Sequence, residues 1–223
     1  MSNRRIFTDP ETQSVFWWKS LREVVQIDKN NKIVNTFKII LNDKLKVSHG
    51  SFKAFLSYCD QDKILSFLGY SFASSSFFTF SVSVKTREEI QHVAVLGDFD
   101  NFLPQSFDLK YGYMAIGGLF SKNSKSNIVK RYASNIKSHD SGAVFDVYHI
   151  DKRRRNRITH LTRQYAPEGA PQSKGYTKLT IANPRLILAG VAETVQVFNI
   201  VNETSVKLIR NYEELHSPEN SEI

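Results

Sequence analysis

Cysteine is almost absent from this chain, and its scarcity limits the kinds of site that the protein can contain. Cys59 is the only cysteine among 223 residues, so no intramolecular disulfide can form. A zinc site built on cysteines would also lack its ligands. A lone cysteine of this kind is typical of a small buried apolar side chain. We therefore expect no disulfide framework and no metal centre.

Long apolar runs are missing as well. No stretch approaches the roughly 18 apolar residues that a membrane-spanning helix requires, and residues 1–10 lack the apolar segment of a signal peptide. Internal repeats, heptad runs and low-complexity tracts are not evident. These features predict a soluble intracellular protein, located in the cytoplasm or also in the nucleus.

The common catalytic and nucleotide-binding motifs do not occur. The chain has no GxxxxGK[ST] or GxGxxG phosphate loop, no HExxH and no GxSxG. Its six histidines are spread along the sequence without the spacing of metal ligands. The sequence therefore predicts no cofactor, no metal ligand and, in the first interpretation, no catalytic residue.

Positive charge is present in excess, and it is concentrated in one segment. Residues 121–165 contain eleven Lys and Arg against three acids, a net charge of +8. The whole chain also carries +8, so the remainder is neutral. A basic protein whose excess charge lies in one fifth of its length is expected to use that fifth to meet an anion.

The N-terminal part has apolar residues at helical spacing. Residues 8–11 resemble a capped helix start, and apolar positions from 15 to 25 follow a period of three to four. The same period recurs after residue 51. We predict helices over about 9–26 and 51–68, separated by a β-hairpin that turns at Asn42-Asp43.

Beyond residue 69 the pattern changes to the alternation of β-strands. The segments 143–150 and 157–165 alternate in this way and are expected to form a hairpin around the cationic run 152–157. The predicted fold class is α+β: N-terminal helices, then a mainly antiparallel, strand-rich sheet that is sandwich or barrel-like. Residues 1–210 would form a single domain, and 211–223 a short, disordered acidic tail.

Clustered cations with neighbouring aromatic rings favour a nucleic acid as the partner. Lys and Arg displace the counterions of a phosphate backbone, and aromatic faces stack on unpaired bases. We therefore predict a non-enzymatic protein that binds RNA, most readily single-stranded RNA, or another polyanion. The predicted binding residues are Lys122, Lys125, Lys130, Arg131, Tyr148, Lys152, Arg153, Arg154, Arg155, Arg157, Arg163 and Tyr165.

The same cations permit other interpretations. The run 152–157 also fits a nuclear-import signal read by an import receptor, and a dense basic patch can hold a scaffold on an anionic membrane surface. The composition and the compact basic domain are similar to the general build of viral structural, matrix and movement proteins. That resemblance implies self-association, so a homo-oligomer is expected.

A different class of function comes from two short motifs. His49-Gly50-Ser51 and His160-Leu161-Thr162 both read H-x-[ST], and such a pair resembles the two-histidine phosphoesterase family. The resemblance implies that His49 and His160 act as acid and base while Ser51 and Thr162 hold the phosphate of an RNA end or a cyclic phosphodiester. Ser48 and Arg163 depart from the apolar flanks of that family.

Overall fold

The fold consists of β-strands. The computed structural model describes residues 6–20, 22–38, 52–71, 76–86, 89–92, 102–121, 141–151, 157–166, 175–191, 194–202 and 205–213. All regular elements in these ranges are strands. The predicted α+β class is therefore wrong. The domain division at residue 210 stays a prediction, and the predicted turn at Asn42-Asp43 lies outside the described residues.

The strands form four antiparallel sheets, each made of four strands that follow one another in the chain. Sheet 1 contains β1 (Ile6–Thr8), β2 (Val15–Ser20), β3 (Glu23–Ile27) and β4 (Ile33–Lys38). Sheet 2 contains β5 (Phe52–Cys59), β6 (Ile64–Ser71), β7 (Ser76–Ser83) and β8 (Glu89–His92). Sheet 3 contains β9 (Phe102–Lys110), β10 (Tyr113–Ser121), β11 (Ser141–Asp151) and β12 (Arg157–Tyr165). Sheet 4 contains β13 (Tyr176–Asn183), β14 (Leu186–Val191), β15 (Thr194–Asn202) and β16 (Ser205–Glu213).

The predicted helix over 9–26 is a hairpin of β2 and β3, preceded by a tight turn. The residues that resembled a helix cap form that turn: the Asp9 carboxylate accepts hydrogen bonds from the backbone N–H of Glu11 and Thr12 at 3.4 and 3.2 Å. Asp and Asn side chains favour such turns as readily as helix starts. The run 15–18 is apolar at every position, so it fits the period of a helix as well as the period of a strand. Its β-branched and aromatic residues favour a strand.

The predicted helix over 51–68 is likewise a hairpin, formed by β5 and β6. Asp60 to Lys63 makes the turn, and Lys63 adopts a positive φ of 52°. Leu65 and Phe67 pack towards sheet 1, whereas Leu68 packs towards sheet 3. A strand covered on both faces is apolar at consecutive positions, and this pattern imitates the stripe of a buried helix.

Successive sheets pack face to face. One apolar cluster joins sheets 1 and 2, where the Trp18 and Phe67 rings meet edge to face at 5.2 Å. A second joins sheets 2 and 3, and a third joins sheets 3 and 4, where Phe145 contacts both Tyr176 and Phe198. In the described part of the chain, none of the three clusters joins sheet 4 to sheet 1. Over these residues the four sheets therefore form an arc whose two ends are sheet 1 and sheet 4, unlike the predicted sandwich or barrel.

Two glycines allow sheet 3 to fit against its surroundings. A Cβ on Gly117 would lie 2.7 Å from Leu179 Cδ1 and 2.9 Å from Tyr176 Cβ, both on sheet 4. A Cβ on Gly118 would lie 2.0 Å from the Leu103 carbonyl oxygen, beside a β-bulge between β9 and β10. Because no side chain fits at either position, the packing of β10 requires these two glycines.

Candidate functional surfaces

The first strands of sheets 2, 3 and 4 lie side by side and share a buried carboxylate. β9 contacts both β5 and β13. Asp108 on β9 accepts hydrogen bonds from the Ser57 hydroxyl, from the Thr180 hydroxyl at 3.2 Å and from the Ile181 backbone N–H at 2.7 Å. Lys110 Nζ lies 3.0 Å from Asp108 Oδ2. Since donors from three sheets surround this carboxylate, it stabilises the inner edge of the arc.

A second buried carboxylate lies between sheets 2 and 3. Asp146 is 0% exposed, and Arg163 binds it with both ends of its guanidinium, Nε to Oδ1 at 2.8 Å and Nη2 to Oδ2 at 2.7 Å. His160 Nε2 lies 3.2 Å from Oδ1. Burial raises the pKa of Asp146, but the hydrogen bonds and charges of Arg163 and then His160 outweigh it and hold that pKa below its ordinary value.

Most residues predicted to bind nucleic acid fall outside the described ranges, and the others have varied surroundings. Tyr148 is 4% exposed and packs against the His160 ring at 5.1 Å, and burial raises its pKa. Arg163 holds Asp146 and lies over the Phe102 ring at 5.9 Å. Tyr165 is 61% exposed, and Arg157 begins β12. The predicted residues outside the described ranges are Lys122, Lys125, Lys130, Arg131, Lys152, Arg153, Arg154 and Arg155.

The two basic connections leave sheet 3 at opposite ends. Ser121 pairs with Ser141 at one end of β11, and Asp151 pairs with Arg157 at the other. A strand of this length spans roughly 33 Å. The strand ends from which the segments 122–140 and 152–156 leave are therefore far apart. The register of sheet 3 places these two strand ends at opposite ends of the sheet.

The two H-x-[ST] motifs can be followed only in part. His49 and Ser51 lie outside the described residues. His160 contacts the Asp146 carboxylate, and Thr162 accepts a hydrogen bond from Gln164 Nε2 at 2.9 Å. Both side chains therefore take part in contacts within sheet 3.

Cys59 is 2% exposed, which confirms the expectation of a buried side chain. Burial raises the pKa of its thiol, so the thiol is protonated at neutral pH. Among the residues that the structure describes, no group of three or more His, Cys, Asp and Glu side chains is placed to hold a metal ion. The same part of the chain contains no helix with the length and hydropathy needed to cross a membrane.

Each end of the arc presents apolar side chains on its outward face. On sheet 1 the outward face, opposite to Phe16 and Trp18, includes Trp17 at 39% exposure and Ile6 at 58%. Cross-strand pairing places the residues of this outward face on one side of the sheet. We call this the sheet 1 end face. Its apolar members are Ile6, Val15, Trp17, Val25, Ile27 and Ile33, of which Val25 is only 1% exposed, and the polar residues Glu23, Thr36 and Lys38 lie on the same side.

Sheet 4 has a corresponding surface. Val195 and Val201 are 44% and 48% exposed, and Leu188 pairs with Val197 on the same side of the sheet. The opposite side carries Phe198 and packs on sheet 3. We call the outward side the sheet 4 end face. Its apolar members are Leu186, Leu188, Val195, Val197 and Val201, and the charged residues Lys178, Lys207 and Arg210 lie on the same side.

Sequence reasoning missed both end faces, although a signal for them exists. The run Val15-Phe16-Trp17-Trp18 is apolar at every position, as is Leu186-Ile187-Leu188-Ala189. A strand with one solvated face alternates apolar and polar residues, whereas a strand covered on both faces is apolar throughout. One strand in each of the two outermost sheets thus carries the residue pattern of a strand that is covered on both sides.

Comparison with known proteins gives the fold. No protein-family model and no curated protein matches the sequence. Among solved structures, the chain is similar to hydrazine synthase of Kuenenia stuttgartiensis, with a TM-score of 0.56, 8% identity, and coverage of 93% of this chain and 61% of that chain. It is also similar to the periplasmic gluconolactonase of Pseudomonas aeruginosa, with a TM-score of 0.51, 11% identity, and coverage of 93% and 53%. A protein from Lactobacillus plantarum gives a TM-score of 0.55, 13% identity, and coverage of 93% and 56%.

The chain has a β-propeller fold. Its sheets are the blades: four antiparallel strands each, stacked face to face, with the first strands of blades 2, 3 and 4 along the inner edge. The chain spans about half to three fifths of the length of the three structures that it matches. At 8–13% identity this likeness extends to the fold and not to an activity.

The propeller blades correct the functional prediction. We predicted a non-enzymatic RNA-binding or polyanion-binding protein, built like a viral structural, matrix or movement protein. That prediction is wrong, because the chain shares its fold with proteins such as a synthase and a gluconolactonase and not with such viral proteins. The prediction rested on charge, which informs about association but not about fold. The import-receptor role of 152–157 and the intracellular location stay predictions.

Proposed function

We propose that this protein is an interaction scaffold, an arc of propeller blades that binds protein partners through its two end faces. The observation that carries the proposal is the exposed apolar surface on both outermost blades, with Ile6 and Ile33 near 60% exposure on one and Val195 and Val201 near half exposure on the other. Contiguous exposed apolar patches mark protein interaction sites in soluble proteins.

The internal junctions of the arc support this proposal, because they show what such faces pack against. The face of blade 3 that carries Phe145 and Val147 is covered by blade 4, and its opposite face, with Met114 and Ile116, is covered by blade 2. The end faces also carry aliphatic and aromatic side chains, together with charged ones such as Lys38 on sheet 1 and Lys207 and Arg210 on sheet 4. A further β-sheet whose face combines apolar and charged side chains is therefore the kind of surface that each end face fits.

Site-specific photo-cross-linking tests the proposal. A benzophenone amino acid replaces Trp17 on the sheet 1 end face or Val195 on the sheet 4 end face, in the full chain expressed in cells. Tyr165 is the matched control, because it is exposed but belongs to neither face. We expect discrete protein adducts, identified by mass spectrometry, from the first two positions at several times the yield of the control. Equal yields at all three positions contradict the proposal.

A further inference from the structure

We propose that the outer edge of β16 binds an extended, acidic segment of a partner protein, which adds to sheet 4 as a fifth strand. β16 is the last strand in the order β13-β14-β15-β16, and β13 lies at the inner edge of the arc. Backbone N–H and C=O groups on the outer side of such a strand can pair with an added strand. This edge is distinct from the two end faces, so the inference goes beyond the proposed function.

The stacking of the blades leaves this edge open. Sheet 4 packs on sheet 3 through the face that carries Phe198, and any further sheet stacked in the same way would lie on the opposite face. Among the described residues, β15 is the strand that pairs with β16. Gln164 on β12 contacts the Val206 carbonyl oxygen at 3.5 Å, near the start of β16. The later residues of β16 are therefore accessible whether or not further blades follow.

The exposed side chains of β16 are apolar in its centre and basic on either side. Leu208 and Ile209 are 47% and 58% exposed, and they lie between Lys207 and Arg210, which are also exposed. Strand edges that avoid pairing with other chains commonly carry Lys or a β-bulge, and β16 has both. The two cations disfavour a basic strand and favour an acidic one, so the edge is selective.

The register of β16 defines the residue pattern of the partner strand. Lys207 and Arg210 lie on the outward side of sheet 4, whereas Leu208 pairs with Phe198 on the side towards sheet 3. A strand added at this edge would place alternate side chains beside the cations and the remaining ones beside Leu208. The segment that fits therefore alternates Asp or Glu with apolar residues.

A second copy of the chain fits this edge less well than an acidic strand. If two β16 strands paired antiparallel about the Leu208–Ile209 position, Lys207 of each copy would lie opposite Arg210 of the other. Like charges directly opposite each other destabilise a strand pair, whereas opposite charges stabilise it. Charge therefore favours an acidic partner.

Fluorescence anisotropy with a labelled peptide of alternating Glu and Val tests the proposal on the purified full chain. The same peptide with Lys in place of Glu is the charge control and should bind at least about tenfold more weakly. A version with N-methylated amides keeps the side chains and the charge but cannot donate backbone hydrogen bonds, so its affinity should fall by a similar factor. Equal affinity for the Glu-Val peptide and its N-methylated version overturns strand addition.

A charge reversal on the protein tests the position of the site. Lys207→Glu should raise the dissociation constant of the Glu-Val peptide about fivefold, because a surface attraction becomes a repulsion. Lys29→Glu is the matched control: Lys29 is exposed in the turn before β4, and its substitution changes the net charge by the same amount. Equal losses in the two variants overturn the site, because the peptide then responds only to the charge of the whole chain. Thermal unfolding checks that both variants are folded.

Hydrogen exchange locates the bound peptide. The amides of residues 206–210 should exchange more slowly in the complex, while those of β14, two strands away, should be unchanged. Protection elsewhere with none on β16 overturns the inference. A chain that binds no peptide but forms a dimer, which Ile209→Lys dissociates, would assign the edge to a second copy and overturn the acidic partner. Cross-linking at Trp17 and Val195 tests the end faces separately, so either proposal can fail alone.

Discussion

Trp17 and Trp18 are adjacent in β2, yet their indoles lie on opposite faces of sheet 1. Trp18 is 0% exposed and meets Phe67 edge to face, whereas Trp17 is 39% exposed on the sheet 1 end face. The two-residue periodicity of a strand produces this division. Two neighbouring residues of one type therefore serve different purposes, one in the core and the other on a surface.

Alanine substitution should separate these purposes. Trp18→Ala leaves a large cavity between sheets 1 and 2 and should lower the free energy of unfolding by about 3–5 kcal/mol. Trp17→Ala, on an exposed face, should lower it by about 1 kcal/mol or less. Urea denaturation at low protein concentration measures both. Equal losses for the two variants would show that the assigned faces are wrong.

The buried Asp146 should make stability depend on pH in the acid range. Its pKa is lower in the folded protein than the ordinary 3.8, so its contribution is complete above about pH 4 and is lost as the pH falls through the folded value. Asp146→Asn should cost about 3 kcal/mol at pH 7, since it leaves the half-buried Arg163 without its ion pair.

The difference between wild type and Asp146→Asn should shrink below pH 4, because the carboxyl of the unfolded wild-type chain then binds a proton while the folded one, with its lower pKa, still does not. Urea unfolding at pH 7 and at pH 3 measures this change. His160→Gln serves as a control with a smaller expected cost, since the His160 side chain is 49% exposed. A difference that is the same at both pH values would contradict the assignment.

Asp108 should be more important for stability than any single one of its partners. Asp108→Asn places an amide group among hydrogen-bond donors and should cost about 2–4 kcal/mol. Ser57→Ala removes one donor and should cost about 1 kcal/mol. Hydrogen exchange adds a spatial test: the Ile181 amide, which donates to Asp108, should lose protection in Asp108→Asn. An unchanged exchange rate at Ile181 would argue against this contact.

Two glycines of sheet 3 provide a matched pair. Gly117→Ala should destabilise by about 1–3 kcal/mol, because its methyl group would overlap Leu179 and Tyr176 across the junction with blade 4. Gly142→Ala should be neutral or slightly stabilising, since a Cβ there has no heavy atom within 4 Å. Thermal unfolding of the two variants measures the contrast. A loss of equal size at Gly142 would contradict the close packing inferred at Gly117.

Part of this fold could be read from local pattern. The alternation over 143–150 and 157–165 predicted two paired strands, which the structure shows as β11 and β12, because both have an unambiguous period of two. The segment 15–25 was misread because its apolar residues satisfy the helical period and the strand period together. Apolar side chains on both faces of a strand remove the alternation that distinguishes the two periods.

The inner edge could not be predicted from the sequence. Asp108 binds Ser57 and Ile181, which are 51 and 73 residues away in the chain. A contact between residues so far apart in sequence cannot be predicted from a local pattern. The blades also repeat in structure without a repeat in sequence, since each position requires only an apolar side chain and not a particular one. Charge, the strongest sequence signal, lies mainly in connections and does not report on this architecture.

The order of the strands has a consequence for how the protein folds. Each hydrogen-bonded strand pair in the four sheets joins strands that are consecutive in the chain, so a blade can form from its own 33 to 64 residues while the rest of the chain is still being synthesised. Each new blade then gains a template in the one before it, as in other proteins built from stacked units. Unfolding should run in the opposite direction, starting at whichever end blade has no neighbour on its outer side.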